Sequence, residues 1–288
     1  MTTILSSVHA FFAAAAAGCL LATAFGELRR AGTDRLTALT LAALAATLAA
    51  AAALVSQFGR PALLFSVFSN PGTAIFRELA SLLLALLAGA AYLAALLTGA
   101  TRRTAGKLSL LAALSGLLLA LATGSAAVQP WRPVWNTWTL VLPTAGFAWL
   151  AGVLLAKGLA ASDAFRKECA GPALGILRKA EEKTRRAAPE PLWSDARIAA
   201  AAPLVGLVLY FAAASTDASA RAAFASLLTG GDAFLFWAGV LAPGVFLSFL
   251  AAQLVPDALE RKPVLGIGLS TLAAVGAGVW QHLVLGLA

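Results

Sequence analysis

Residues 36–56 read LTALTLAALAATLAAAAALVS, and this stretch decides the fold class. It contains no charged side chain and matches the roughly 20 residues that an α-helix needs to cross the hydrocarbon core of a bilayer. Apolar stretches of similar length recur along the chain, which predicts an all-α integral membrane protein with eight transmembrane helices. The predicted spans are 4–25, 36–56, 74–98, 108–128, 138–160, 196–214, 233–254 and 263–286.

The composition is that of a membrane protein. Of the 288 residues, 60% are apolar and 12% are charged, whereas soluble domains carry about a quarter charged residues. We therefore predict a single polytopic domain over 1–288 in contact with the lipid bilayer. Its first span is too long, and too poor in basic residues at its start, for a cleavable signal peptide. Cys19 lies in a span and Cys169 in a loop, which predicts neither a disulfide nor a metal or iron–sulfur site.

Basic residues are distributed unequally between the loops. The loops after spans one, three, five and seven hold 17 of the 21 lysines and arginines. Because positively charged loops stay in the cytoplasm, we expect both termini on the outer, periplasmic face. The long loop 161–195 is then cytoplasmic, and its stretch GILRKAEEKTRR at 175–186 favours contact with anionic lipid. This distribution accounts for the net charge of +8 without a nucleic-acid partner.

The second loop and the start of the third span carry unusual polar residues. The run Gln57-Phe58-Gly59-Arg60-Pro61 follows the second span, and Arg77 and Glu78 stand inside the third. Ionisable side chains at the edge of hydrocarbon are costly, so they mark a candidate functional site. Adjacent helical residues point about 100° apart, so Arg77 and Glu78 are not expected to face the same point. Glu78 beside Arg60 suits proton acceptance from a hydroxyl-bearing ligand; the alternative is an interfacial ion pair that only fixes the loop.

The fourth loop is rich in tryptophan and is also expected to face outward. It reads QPWRPVWNTW over 129–138. Tryptophans at this position are typical of the aromatic belt at a membrane interface. The prolines and Arg132 also favour a stiff platform on which a partner protein docks. Because both unusual loops are even-numbered, we expect the active side of the protein to be its outer face.

The chain has two histidines, His9 and His282, and each lies close to a terminus. With both termini on one face, they are compatible with a haem b held by one histidine from each of two helices. The alternative interpretation is a pair of interfacial histidines, or one histidine that lines a pocket. We expect no haem, because a single histidine on each helix is the minimum for such a site.

Together these motifs resemble the membrane anchor subunit of dimethyl sulfoxide reductase, among the anchors of complex iron–sulfur molybdoenzymes. In that family, His-Leu-Gly-x-Pro is followed by a Phe, an Asn/Gly turn and Ser-x-Glu-Ile. The corresponding residues here are Gln57-Phe58-Gly59-Arg60-Pro61, Phe65, Asn70-Pro71-Gly72 and Arg77-Glu78-Leu79. The family's Pro-x-Trp-x-x-Trp is matched by Pro133-Val134-Trp135-Asn136-Thr137-Trp138, and its Gly-Val-aromatic stretch by Gly278-Val279-Trp280.

The resemblance implies a subunit of the bacterial cytoplasmic membrane that binds quinol, such as menaquinol, near the periplasmic face. Two electrons would pass to a four-cluster iron–sulfur subunit and on to a molybdopterin catalytic subunit, and those partners would hold the clusters and the molybdopterin. Glu78 would accept a proton, and the quinol would contact Gln57, Gly59, Arg60, Pro61, Phe65, Arg77 and His9. The partner would dock on Asn70, Trp131, Arg132, Trp135 and Asn136.

The chain departs from the family at two places. Gln57 stands where the family has a histidine, and glutamine can bind a quinone carbonyl but does not accept a proton. Proton transfer would then rest on Glu78, with His9 as a substitute. The family's acidic and basic pair in span eight is replaced by Ala273-Ala274-Val275-Gly276. A haem-b quinone-reactive subunit and a secondary transporter remain alternatives, although transporters favour repeats and midplane polar sites that the sequence does not display.

Overall fold

The structure is a computed structural model that describes residues 2–28, 31–58, 67–128, 136–169 and 195–286. At residues 2, 163–169, 257, 260 and 261 it describes the backbone only. Within these ranges the chain forms helices and no strands, and eight helices are long and apolar enough to cross a membrane. The predicted all-α class with eight spans is therefore confirmed. The predicted basic stretch at 175–186 lies outside the described residues.

The helices are named in chain order. The first four are α1 (Thr2–Leu28), α2 (Thr33–Ser56), α3 (Ala74–Leu97) and α4 (Arg102–Ser125). A 3₁₀ turn at Trp138–Leu140 leads into α5 (Val141–Cys169), which is followed by α6 (Ala196–Ala214) and α7 (Ala218–Thr229). The next span, α8, is π-helical over Leu235–Phe246 and α-helical over Leu247–Leu254. A short α9 (Pro256–Arg261) precedes the last span, α10 (Pro263–Gly286).

Most predicted spans agree with these helices, but the fourth span begins earlier than predicted. The predicted span starts at 108, whereas α4 begins at Arg102, because the Thr101 side chain accepts a hydrogen bond from the Thr104 backbone N–H and caps the helix. Two short helices, α7 and α9, were not predicted at all. They are too short to cross a membrane, so the span-length pattern of the sequence does not indicate them.

The seventh span is irregular at its start. It has twelve π-helical residues, with Pro243 among them. Proline has no backbone N–H to donate, and its ring crowds the carbonyl four residues earlier, so the wider π turn accommodates it. The span therefore changes helix type around Pro243 and continues without interruption.

The spans form two four-helix bundles of the same order. In the first bundle α1 contacts α2 and α4, and α3 contacts α2 and α4. In the second bundle α5 contacts α6 and α10, and α8 contacts α6 and α10. The bundles join through α1, which packs on α5 and α10, and through a contact between α4 and α5. Each half is thus a ring of four antiparallel neighbours, with α1 and α3 on the diagonal of the first.

Small residues allow the two bundles to approach closely. A Cβ atom at Gly18 of α1 would lie 2.7 Å from the backbone nitrogen of Gly152 of α5, which is closer than real atoms approach. Such backbone contacts are typical of membrane helices, which gain van der Waals packing where side chains are small. The second bundle instead packs large aromatic rings against one another. Tyr210 of α6 and Trp280 of α10 meet edge to face at a centroid distance of 5.4 Å.

Alternation of the eight spans places specific helix ends together. The start of α1, the end of α2, the start of α3 and the end of α10 lie at one end of the protein, which we call the terminal end. Contacts between Ser6 and Gln57 and between Gly278 and Ser7 confirm this arrangement. The candidate site residues in the described part of the chain all belong to helix ends or loops on this side.

Candidate functional site

A histidine and a carboxylate meet inside the first bundle. The Nε2 atom of His9 on α1 lies 3.3 Å from the Oε1 atom of Glu78 on α3. Both side chains are buried, with 4% and 7% of their surface exposed. The two atoms are at ion-pair distance, although they are not aligned as a hydrogen bond. Because α1 and α3 are diagonal partners, the pair crosses the bundle interior, about 6 Å along α3 from the start of that helix.

A backbone carbonyl fixes the orientation of the imidazole. The Nδ1 atom of His9 lies 2.9 Å from the carbonyl oxygen of Ala50 on α2. A carbonyl only accepts hydrogen bonds, so Nδ1 carries a proton and Nε2 is the nitrogen presented to Glu78. A single additional proton shared by Nε2 and the carboxylate gives the pair no net charge. This is the least costly state in an interior from which water is excluded.

Gln57 contacts α1 about one helical turn closer to the terminal end than His9. The hydroxyl of Ser6 donates a hydrogen bond of 3.0 Å to the Oε1 atom of Gln57, which caps the end of α2. Ser6 is one helical turn before His9 and therefore lies on the same side of α1. Because the amide oxygen of Gln57 accepts from Ser6, its NH₂ group is the end that can donate to a ligand carbonyl. Ser6, His9, Gln57 and Glu78 form what we call the polar cluster.

Arg77 points away from the polar cluster. Glu78 is buried, whereas Arg77 is exposed. The prediction that these neighbours face different points is therefore confirmed. Arg77 lines an open groove of about 600 Å³ between α3, α4 and the start of α5. The pairing of Glu78 with His9 was not predicted; the sequence instead suggested Arg60, which lies outside the described residues.

The other predicted contacts are distributed between loops. Six more of the predicted residues also lie outside the described part of the chain: Gly59, Pro61, Phe65, Trp131, Arg132 and Trp135. Asn70 and Asn136 are described and exposed. The carbonyl of Asn70 accepts from the backbone N–H of Thr73, at 3.1 Å, just before α3 begins. Asn70, a predicted docking residue, therefore belongs to the turn that leads into α3.

His9 does not face the helix that carries His282. His9 points towards α2 and α3, whereas α10 packs on the side of α1 that carries Ser7 and Phe11. His282 is on α10 and is partly buried. A haem that bridges the two rings would require α1 to turn about its axis and to give up the contacts of His9 with Ala50 and Glu78.

A second polar contact crosses the same diagonal at the opposite end of the bundle. The Tyr92 hydroxyl on α3 donates a hydrogen bond of 2.8 Å to the Oε1 atom of Glu27 on α1. Neither residue was predicted from the sequence as part of a site. Glu27 follows directly after a long apolar run, and an ionisable residue at such a position can indicate a polar contact at the membrane edge. Alanine and leucine side chains fill the interior between the two contacts. The first bundle thus has one polar link between α1 and α3 near each end.

The chain matches no protein-family model, no curated protein and no solved structure. The chemistry of the polar cluster follows from its own residues. The Nε2 atom of His9 and the carboxylate of Glu78 can together hold one or two protons, and Gln57 supplies a hydrogen-bond donor about one helical turn away. A buried acid–base pair with an adjacent donor suits a ligand that gains or loses a proton at an oxygen atom.

Proposed function

We propose that this protein is the membrane anchor of a molybdopterin oxidoreductase complex and that it oxidises quinol at the polar cluster. The observation that carries the proposal is the buried contact of 3.3 Å between His9 and Glu78. Perturbed or paired ionisable groups inside a membrane protein mark proton and substrate sites more often than structural ones. The motifs around Gln57 and Glu78 supply the resemblance to the anchor subunits described above.

In this proposal the quinol hydroxyl gives its proton to the His9–Glu78 pair. Oxidation of one quinol yields a quinone, two protons and two electrons. The pair takes the first proton, which leaves it with one positive charge, and then releases that proton because a buried net charge is costly. The second proton leaves to the aqueous phase at the terminal end. Gln57 donates to the other oxygen of the ring, as a quinone carbonyl requires.

The electrons pass to a partner, which we propose is an iron–sulfur subunit docked at the terminal end. Its clusters would relay them to a molybdopterin subunit that reduces the terminal substrate. The docking surface would consist of the two outer loops, including Asn70 and Asn136 of the described residues. The excess of lysine and arginine in the odd-numbered loops supports a periplasmic terminal end in a bacterial cytoplasmic membrane.

The test is quinol-driven reduction of the partner clusters in the assembled complex. Glu78→Gln is expected to slow this reduction by at least about 100-fold, because a positioned proton acceptor contributes that much or more. Glu27→Gln is the matched control, since Glu27 is the carboxylate at the opposite end of the same bundle. It is expected to leave the rate unchanged. Full-rate reduction in an assembled Glu78→Gln complex would remove Glu78 from the mechanism.

A secondary transporter is a second candidate, and one observation favours it. The two halves of the protein share the same order of helix contacts, and parallel structural repeats are frequent in transporters. The polar cluster nevertheless lies near a helix end and not at the midpoint of the spans. Substrate uptake by vesicles that contain this chain alone would favour the transporter over the anchor.

A further inference from the structure

The groove beside α3 is apolar and lies on the outside of the bundle. Its volume is about 600 Å³, and Leu84 of α3 and Leu118 and Leu121 of α4 contribute to its walls. From Arg77 to Leu84 the groove extends about 10 Å along α3, because each helical residue rises 1.5 Å. Trp138 also lines it and is 69% exposed. An exposed tryptophan at a span end is typical of the headgroup region of a membrane.

Among the described residues that line the groove, Arg77 is the only charged one. Its neighbour Glu78 points inward and is held against His9. The segments 59–66 (GRPALLFS) and 129–135 (QPWRPVW), which lie outside the described residues, contain no carboxylate in their sequences. The mouth of the groove therefore has a guanidinium and an indole at headgroup depth. Its walls are otherwise apolar apart from the hydroxyls of Ser81 and Ser125, which donate to backbone carbonyls of their own helices. A guanidinium in this setting is complementary to an anion, and it matches the geometry of phosphate oxygens particularly well.

We propose that this groove binds one anionic phospholipid, with its phosphate on Arg77 and an acyl chain along Leu84, Leu118 and Leu121. A neutral quinone would fill the apolar wall but would leave the positive charge without a counter-ion. A zwitterionic lipid brings its own ammonium group, which competes with Arg77 for the phosphate. On α3 Arg77 points about 100° away from Glu78, and neither Glu78 nor His9 lines the groove, so the site does not depend on the proposed quinol chemistry.

Lipid binding by the purified full chain tests the proposal directly. Native mass spectrometry in detergent would titrate phosphatidylglycerol and phosphatidylethanolamine separately. We expect the wild-type protein to retain phosphatidylglycerol preferentially. Arg77→Gln should weaken that retention roughly fivefold, the factor that corresponds to about 1 kcal/mol for one arginine near an anionic headgroup. Arg221→Gln is the matched control, because Arg221 is an exposed arginine on α7, outside the groove, and it should change nothing.

A second variant tests the groove itself. Ala80 lines the wall and is exposed, so Ala80→Trp fills the groove without disturbing the bundle interior. We expect it to weaken phosphatidylglycerol retention as well, with thermal unfolding unchanged. Equal retention of both lipids by the wild type, or unchanged retention in Arg77→Gln, would overturn the proposal. So would a co-purifying quinone, in place of the phospholipid, that is lost on Ala80→Trp.

Discussion

His9 and Glu78 contact one another across the diagonal of the first bundle, with 3.3 Å between Nε2 and Oε1. The ring is held from its other side by the carbonyl of Ala50. Neither partner touches the groove in which Arg77 lies. Two adjacent ionisable residues of α3 therefore belong to different environments, one inside the bundle and one at its outer surface.

The first prediction concerns the stability of the His9–Glu78 pair. His9→Leu or Glu78→Leu alone should each lower the free energy of unfolding by about 3 kcal/mol, because each leaves one ionisable group buried without its partner. The double variant should lie within about 1 kcal/mol of the wild type, since apolar side chains replace both groups. Unfolding in mixed micelles measures all four corners of this double-mutant cycle. Strictly additive losses would show that the two side chains do not interact.

The second prediction concerns the contact between the two bundles. Gly152→Ala should destabilise the protein by about 2–3 kcal/mol, because the added methyl would lie 2.7 Å from the carbonyl carbon of Gly18. Gly106→Ala is the control, since a Cβ atom there meets nothing within 4 Å. It should stabilise α4 by about 0.5–1 kcal/mol through helix propensity. Thermal unfolding in detergent compares the two, and equal melting temperatures would argue against close packing of α1 on α5.

The third prediction concerns the link at the other end of the first bundle. Tyr92→Phe removes the hydroxyl that donates to Glu27 and should cost about 1–2 kcal/mol. Glu27→Gln keeps an oxygen that can accept this bond, so its cost should be smaller. Hydrogen exchange at the end of α3 provides a local measure alongside global unfolding. A Tyr92→Phe protein as stable as the wild type would mean that the bond makes no net contribution.

The fourth prediction concerns pH and the helix α7. Asp217 caps this helix: hydrogen bonds from the Ser219 hydroxyl and from the backbone N–H groups of Ser219 and Ala220 hold the pKa of its carboxyl below the usual value near 4. A lowered pKa stabilises the fold above that usual value, and the contribution is lost as the pH falls through the folded pKa. The start of α7 should therefore fray below about pH 4.

Hydrogen exchange of α7 between pH 6 and pH 3 is the measurement for this effect. Trp237 offers a second signal, because its indole N–H donates to the carbonyl of Leu228 near the end of the same helix. Asp217→Asn keeps a capping oxygen but does not titrate, so its exchange pattern should not change over this range. Identical acid behaviour of the wild type and the variant would place the fraying elsewhere.

Much of the fold could be predicted, because a membrane span is a local property of the sequence. The charge-free run at 36–56 predicted α2 to within three residues at its start, and the run at 196–214 predicted α6 at both ends. The early start of α4 could not be obtained from hydropathy, since its first turn is basic and polar and depends on the cap at Thr101. The π-helical form around Pro243 was not predicted either, because hydropathy does not report helix type.

The candidate site was only partly accessible to sequence reasoning. The one-residue offset between Arg77 and Glu78 already requires different directions on a helix. Which of the two faces inward depends on how α3 packs on α2 and α4, and no local pattern specifies that. His9 was named as a substitute proton acceptor, but its contact with Glu78 connects helices that are not neighbours in the chain.

The sequence by itself determined the number of spans, the unequal distribution of basic residues and the presence of ionisable groups near the membrane edge, because hydropathy and charge act residue by residue. Only the tertiary structure decided that His9 meets Glu78 inside the bundle and that Arg77 meets the groove. The physical reason is the rotation of each helix about its own axis. Close contacts such as that of Gly18 with Gly152 restrict this rotation once all eight helices pack together. The rotation of each helix in turn determines which of its polar side chains lie in the dry interior.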